Sequence, residues 1–312
     1  MKNPSTTLTP LAAIAENAGD AWPRNGRGQP LIIRREGGMP VAYRRATTIA
    51  KTLSDQSNLI DWKARLTLAG AGADPRLAAE AARLSPDDPG DKRHLNRLAR
   101  EAFRTAGGES KSERGTWLHY LSECVDKGTE LPSHTDADAA DMRAYEQAVK
   151  PLMMRHIEQP VVNHTYRVAG TADRIAEADL TTPDGTDAGL IIADLKTGNV
   201  DYAALSIAIQ LAAYAHGVNY DPLRWLANPG REESLAKWKK CAFSAEQAAA
   251  CYGPSLAVNQ KWALVIHMPA GTGTARLLWV DIAAGWEALQ VASDVREWRS
   301  RKDLLIFSRL VS

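Results

Sequence analysis

Up to Arg45 the chain is dominated by turn signals, Trp22-Pro23, Asn25-Gly26 and Gly37-Gly38, around one short strand candidate from Pro30 to Arg35. From Thr47 to about Arg104 apolar residues recur at helical spacing in TIAKTLSDQSNLIDWKARLTLAGAG, PRLAAEAARL and HLNRLAREAF, with SPDDPGD as a break. This half reads as a bundle of helices joined by short loops. A helix from roughly Thr116 to Lys127 follows, stopped at Gly128, and another covers Ala137 to Arg155.

The period then changes. VVNHTYRVAG, TADRIAEADL and GLIIADL read as three short strands, the second and third joined by the turn TTPDGTDAG. YAALSIAIQLAAYAHGV is apolar nearly all round, which predicts a buried helix. Residues 221–258 read as an irregular excursion with one helix. KWALVIHMP and TARLLWVDI form a strand pair around AGTG, and AAGWEALQVASDVREWRSRKDLL an amphipathic helix. The alternation of helices and short strands predicts an α/β chain of α+β type.

Composition narrows this picture only slightly. The 312 residues allow one large domain or two modest ones, and 45% hydrophobic with 24% charged residues is ordinary for a globular chain. No apolar run reaches 18 residues, so a membrane span is not expected. The N-terminus makes a poor secretory signal, and a cytoplasmic location is the expectation. Cys124, Cys241 and Cys251 form no C-x-x-C pair and read as small buried residues in a reducing compartment. A formal net charge of +1 argues against a wholly basic DNA binder. It leaves room for a local basic groove, since Arg24, Arg27, Arg34, Arg35, Arg44 and Arg45 crowd one stretch with Glu36 the lone acid. A solvated loop and hairpin would account for the same cluster.

Candidate chemistry gathers at the strand ends. If the second and third strands pair through TTPDGTDAG, Asp173 and Asp194 meet at one end of the sheet. Adjacent carboxylates repel unless a cation lies between them, and their oxygens suit Mg2+ or Mn2+. Lys196 shares the face of Asp194 because side chains alternate with period two. An ammonium there can steady charge on a phosphate oxygen or an attacking hydroxide; a surface ion pair of Asp194 with Lys196 explains the D-x-K triplet equally well. His119 and Glu123 lie four apart on one helix face, compatible with a packed histidine beside a solvated acid. Gln210 and Tyr214 are polar tips on the buried helix and need partners, which local backbone groups could supply.

Taken in order, GTWLH up to His119, GTAD up to Asp173, ADLKTG with Asp194 and Lys196, and QLAAY from Gln210 to Tyr214 resemble the PD-(D/E)XK nuclease superfamily. The likeness is to its RecB-like exonuclease branch, which includes exonucleases of CRISPR spacer acquisition. It is specific over about residues 113–218. TLSDQSNLIDWKARLTLAGAG and WVDIAAGWEAL look further like RecB-type exonucleases of actinobacterial phages.

The resemblance implies a restriction-endonuclease-like αβββαβ core over residues 113–312, with residues 1–112 as a strand, loop and helical region packed on it. It implies metal-dependent hydrolysis of DNA phosphodiester bonds by an exonuclease, in phage recombination, replication or repair, with proteins of those processes as partners. The location implied for a phage-encoded chain is the host cytoplasm. His119, Asp173, Asp194 and the Leu195 carbonyl would hold Mg2+ or Mn2+, and Lys196 would position or activate the water. Gln210, Tyr214, Arg174 and Thr116 would contact DNA. Glu123 has no firm counterpart. Some relatives carry a four-cysteine iron–sulfur cluster, which three cysteines cannot build, so no cluster is expected. Alternatives that share these residues are a non-catalytic DNA-end-binding subunit and a structure-specific endonuclease.

Overall fold

A computed structural model describes residues 22–226, 232–255 and 257–304 of the chain. The N-terminal leader reading falls on residues almost wholly outside this set. By contacts, residues 55–121 form one unit; residues up to 54 and from 122 onward form the other.

The 55–121 unit is helical. It holds α2 (Ser57–Ala73), α3 (Pro75–Ala81), α4 (Pro89–Thr105) and most of α5 (Ser110–Lys127). Asp74 caps α3 by accepting from Arg76 N, and Asp88 caps α4 by accepting from the Gly90 and Asp91 amides. In each case Pro occupies the first turn, where its missing N–H costs nothing. Between them lies the SPDDPGD break. Leu77, Leu98 and Ala102 make a small core. Gly70 on α2 lies so near the Ala102 carbonyl of α4 that a Cβ there would clash, which brings the two helices close.

The other unit is built on a mixed, mostly antiparallel sheet of seven strands. Its strands are β3 (Arg44–Arg45), β4 (Leu152–Asn163), β5 (Val168–Thr181), β6 (Asp187–Lys196), β7 (Val218–Asn219), β8 (Trp262–His267) and β9 (Arg276–Asp281). The order is β7-β4-β5-β6-β8-β9, with β3 alongside the start of β5; β6–β8 and β3–β5 are the parallel pairs. A separate two-stranded sheet joins β1 (Leu31–Ile32) to β2 (Val41–Ala42). Helices α1 (Ala46–Ala50), α6 (Asp136–Ala148), α7 (Ala204–Ala215), α8 (Glu232–Trp238), α9 (Ala245–Ala249) and α10 (Ile282–Ser300) complete it. Ile175 and Ile192 from the sheet join Ile209, Leu211, Ala212 and Leu289 of α7 and α10 in the main core. Among the described residues no helix is long and apolar enough to cross a membrane.

Several boundaries differ from expectation. The helix expected to reach Arg155 stops at Ala148, and Leu152–Arg155 open β4; Pro151 disfavours helical backbone in the residue before it. β4 is therefore long, and VVNHTYRVAG is the end of β4, a hairpin turn and the start of β5 rather than a strand of its own. Among its described residues the 221–258 excursion holds two short helices, α8 and α9. Cys124 and Cys251 are buried, whereas Cys241 is exposed.

β5 positions the site. Its first residues pair with β4 and β3, through Arg44↔Val168 and Arg45↔Ala169. From Arg174 onward it pairs with β4 and β6, beginning at Arg174↔Ala193. Beyond Ala193, β6 keeps its ladder only with β8, through Asp194↔Val265, Leu195↔Ile266 and Lys196↔His267. The two antiparallel strands thus part at Asp173 and Asp194.

Candidate functional site

Where β5 and β6 part, a side chain replaces the missing rung of the ladder. Asp173 Oδ2 accepts a hydrogen bond from the Leu195 amide at 3.0 Å. Continuing the register places Asp173 directly opposite Asp194, so their carboxylates share a face, as the turn between the strands predicts. Leu190, Ile192, Asp194 and Lys196 follow the pleat on one side, with Ile191, Ala193 and Leu195 on the other. Ile191, Ile192, Ala193 and Leu195 are buried, Leu190 is half-buried, and together they hold the last two polar residues.

Asp194 is 1% exposed and makes an ion pair with Lys196 through Oδ2. Burial raises the Asp194 pKa, the charge of Asp173 raises it further, and Lys196 only partly counters them. For Lys196 the balance is opposite: burial disfavours its charge, but Asp194 and Asp173 outweigh that and keep the ammonium protonated. The ion pair foreseen as the plain explanation of D-x-K is present, and it sits beside a second carboxylate.

α7 closes the site. Gln210 Nε2 lies 3.4 Å from Asp194 Oδ1 and 3.4 Å from the Tyr214 hydroxyl. Tyr214 is buried, and burial followed by the charges of Asp194 and Asp173 raises its pKa. The Tyr214 ring edge and hydroxyl lie over Gly170, where a Cβ would come within 2.8 Å of the hydroxyl oxygen. Glycine in GTAD is thus required by the tyrosine of QLAAY, linking two segments far apart in sequence.

The structure adds Glu158, which the sequence reading left unassigned. It sits in β4 between the pairs Ile157↔Arg174 and Gln159↔Ala172, hence opposite Asp173. Its φ of 52° is a left-handed conformation inside a strand. Such backbone in a non-glycine costs about 1–3 kcal/mol and persists where the surroundings enforce it. The residue is exposed, and its carboxyl stands among other acids and is partly desolvated. That desolvation, with the charges of Asp173 and Glu123, pushes its pKa up to about 8 against the pull of Arg174 and Lys127. Glu123 itself is ion-paired with Lys127 at 2.8 Å.

A carboxyl whose pKa is raised on folding favours the folded state at low pH. That contribution is lost as pH rises from the ordinary carboxylate range through about 8. Glu158→Gln is therefore expected to raise the melting temperature relative to the parent at pH 8 in EDTA and to leave it nearly unchanged at pH 4.5. Melting curves at the two pH values check this; an equal shift at both would show that Glu158 does not feel its neighbours' charge.

Arg174 occupies a different place from the one the resemblance implied. It is fully buried on the opposite face of β5. Its Nε donates to Asp126 Oδ2 at 2.7 Å and to the Tyr145 hydroxyl at 3.1 Å, and Nη2 donates to Ser122 Oγ at 2.6 Å. Burial opposes its charge, but Tyr145, Asp126 and Asp173 more than offset that and hold its pKa above the ordinary value. A guanidinium so enclosed has no surface to offer a phosphate, which corrects the DNA-contacting role. Arg174 fastens β5 to α5 and α6, and its Nη1 stands 3.8 Å from Asp173 Oδ2.

Thr116 and His119 lie on α5 within the 55–121 unit. The Thr116 hydroxyl donates to the Ser112 carbonyl at 3.1 Å, and His119 is half-buried. Of the N-terminal arginines, Arg34 pairs with Glu36 at 3.0 Å, Arg24 donates to the Gly28 carbonyl, and Arg35 lies over the Tyr252 ring. Among the described residues no three His, Cys, Asp or Glu side chains are gathered tightly enough to enclose a metal ion by themselves. Asp173 and Asp194 offer two hard oxygen donors, which suffices for Mg2+ when waters and substrate phosphates fill the rest. Searches of protein-family models and of curated proteins find no match to the chain.

Proposed function

We propose that the chain is a Mg2+- or Mn2+-dependent deoxyribonuclease of the RecB-like branch of the PD-(D/E)XK superfamily, acting on DNA ends. The observation that carries this reading is the pair Asp173 and Asp194, set opposite each other where β5 and β6 part, with Lys196 on the same face. With α6 between α5 and β4, and β7, α8 and α9 between α7 and β8, the elements α5, β4, β5, β6, α7 and β8 are compatible with an αβββαβ core, and Gln210 with Tyr214 stands behind the acids as that reading requires.

Asp173 and Asp194 would hold the ion. Burial, and then the charge of Asp173, raise the Asp194 pKa, and a divalent cation beside both acids would offset these effects. The Leu195 carbonyl is the further ligand this reading includes. The cation supplies Lewis acidity, neutralising charge on the scissile phosphate and acidifying a water. Lys196, kept protonated by both acids, serves as a fixed positive charge for the phosphate oxygens rather than as a base. Gln210 orients Asp194, and Tyr214 keeps Gln210 in place.

The test uses DNA labelled at the 5′ or 3′ end, as linear and circular molecules, with Mg2+, Mn2+ or EDTA. Linear DNA is expected to shorten from an end with either ion, while circles and EDTA controls stay intact. Cleaved circles would indicate an endonuclease. Binding without cleavage in every condition would indicate a non-catalytic DNA-end-binding module.

A further inference from the structure

The helical unit carries a groove that plays no part in the site above. It measures about 700 Å³ and runs between α2 and α4. Arg93, Asn96, Arg100 and Phe103 line it from one face of α4, three or four residues apart, and Lys63 with Thr67 lines it from α2. The close approach of Gly70 to Ala102 brings these two rows side by side.

The charge in this groove is not matched internally. Three of the unit's acids are engaged elsewhere: Glu101 holds Arg76, Glu80 holds His94, and Glu109, on the groove wall, holds Arg104 at 2.8 Å. Lys63, Arg93 and Arg100 are exposed and make no ion pair among the described residues. At the base lies Phe103, half-buried, its ring edge-on to Trp62 at 5.4 Å between centroids. Gly108 lets the following loop lie against that ring, where any side chain would collide.

Three unmatched cations around an aromatic ring suit a strand whose phosphates are spaced along a backbone and whose bases can stack. We infer that this groove binds single-stranded nucleic acid, Lys63, Arg93 and Arg100 contacting phosphates and Phe103 stacking on a base. A duplex keeps its bases inside, so Phe103 favours the single strand. The inference deepens the DNA-hydrolysis reading and rests on it for the choice of DNA, giving the enzyme a second hold on its substrate.

Binding of a fluorescent oligo-dT to the full chain, measured by anisotropy in EDTA across a salt series, tests it independently of cleavage. The triple variant Lys63→Ala/Arg93→Ala/Arg100→Ala is expected to bind at least tenfold more weakly. Its salt dependence should also be shallower by roughly 2 in the log–log slope, at about 0.7 per single-strand phosphate contact. A control with equal charge loss outside the groove, Arg65→Ala/Arg83→Ala/Lys92→Ala, should change affinity less than twofold. Phe103→Leu should weaken binding about tenfold at constant salt slope, in keeping with loss of one base stack; it stands as the test should the triple variant fold poorly. Equal losses in the groove and control triples would overturn the inference, as would parent protein that fails to bind the oligomer, or a mononucleotide competing as well as the oligomer. Parent protein that binds through the groove but cleaves nothing with Mg2+ or Mn2+ would sink the hydrolysis reading and leave the groove standing.

Discussion

Asp126→Ala is expected to destabilise the folded protein by about 3–5 kcal/mol, the usual cost of removing one partner from a buried ion pair. Asp126 and Arg174 have side chains 2% and 0% exposed. The Tyr145 hydroxyl lies 2.8 Å from each Asp126 oxygen, so one carboxylate satisfies both an arginine and a tyrosine. Without it the guanidinium remains buried with Ser122 and the Tyr145 oxygen as its hydrogen-bond partners. The Asp173 carboxylate, 3.8 Å from Nη1, lies beyond hydrogen-bond distance and only partly replaces the lost charge. The double variant Asp126→Ala/Arg174→Met removes the stranded charge as well, and replacing a whole buried pair by apolar groups is often neutral. It should therefore recover most of the loss. Urea denaturation of the parent, both single variants and the double variant measures the coupling. A loss below about 1 kcal/mol for Asp126→Ala would place the pair with exposed ion pairs of little worth.

The same arginine shows where sequence reading stops short. Asp173 and Arg174 are neighbours in a strand, so they face opposite sides of the sheet. Once Asp173 faces Asp194, Arg174 must face away from it. A charged residue beside a candidate acid reads as part of the same site, and only tertiary packing supplies Asp126, Tyr145 and Ser122 to enclose it. The pairing of Asp173 with Asp194 was legible because a short turn brings the two strands together and period two then assigns faces. The apolar helix α7 was legible because nearly every position on it is apolar.

Glu158 was not, and the cause is a misplaced boundary. With the helix carried to Arg155 and a strand begun at Val161, Glu158 falls in a connection. Pro151 was the available signal for an earlier helix end, which lengthens β4 and brings Glu158 opposite Asp173. Ser244-Ala-Glu-Gln247 was a second unread signal. It is a capping box, both reciprocal bonds are present, and it opens α9. The partner of Gly170 was beyond any local reading, since Tyr214 lies on a different element and meets it only in the folded chain.

Lys196→Ala tests the proposed chemistry most directly. Lys196 is 28% exposed at its side chain, enough to meet a substrate, while its ammonium touches Asp194. Under the DNA-hydrolysis reading its charge matters most where negative charge builds on the phosphoryl oxygens. A preorganised positive group at such a point contributes about 10²–10³ in rate. Lys196→Ala should lower kcat by at least about that factor with Mg2+ or Mn2+, while DNA affinity in EDTA stays within about twofold, since one phosphate contact is a small share of a backbone-tracking interface. The variant should also fold, because the acid left behind can respond. Without Lys196 the upward influences of burial and Asp173 on Asp194 go unopposed by their main counterweight, so Asp194 takes up a proton instead of remaining a buried unpaired charge. Its cation affinity should then depend more steeply on pH, falling below that of the parent most strongly at the acidic end. Calorimetric titration of Mn2+ at two pH values reads that change without reference to activity. A variant that cleaves as fast as the parent with metal present would remove Lys196 from the chemistry. The D-x-K triplet would then revert to the ion pair that first explained it.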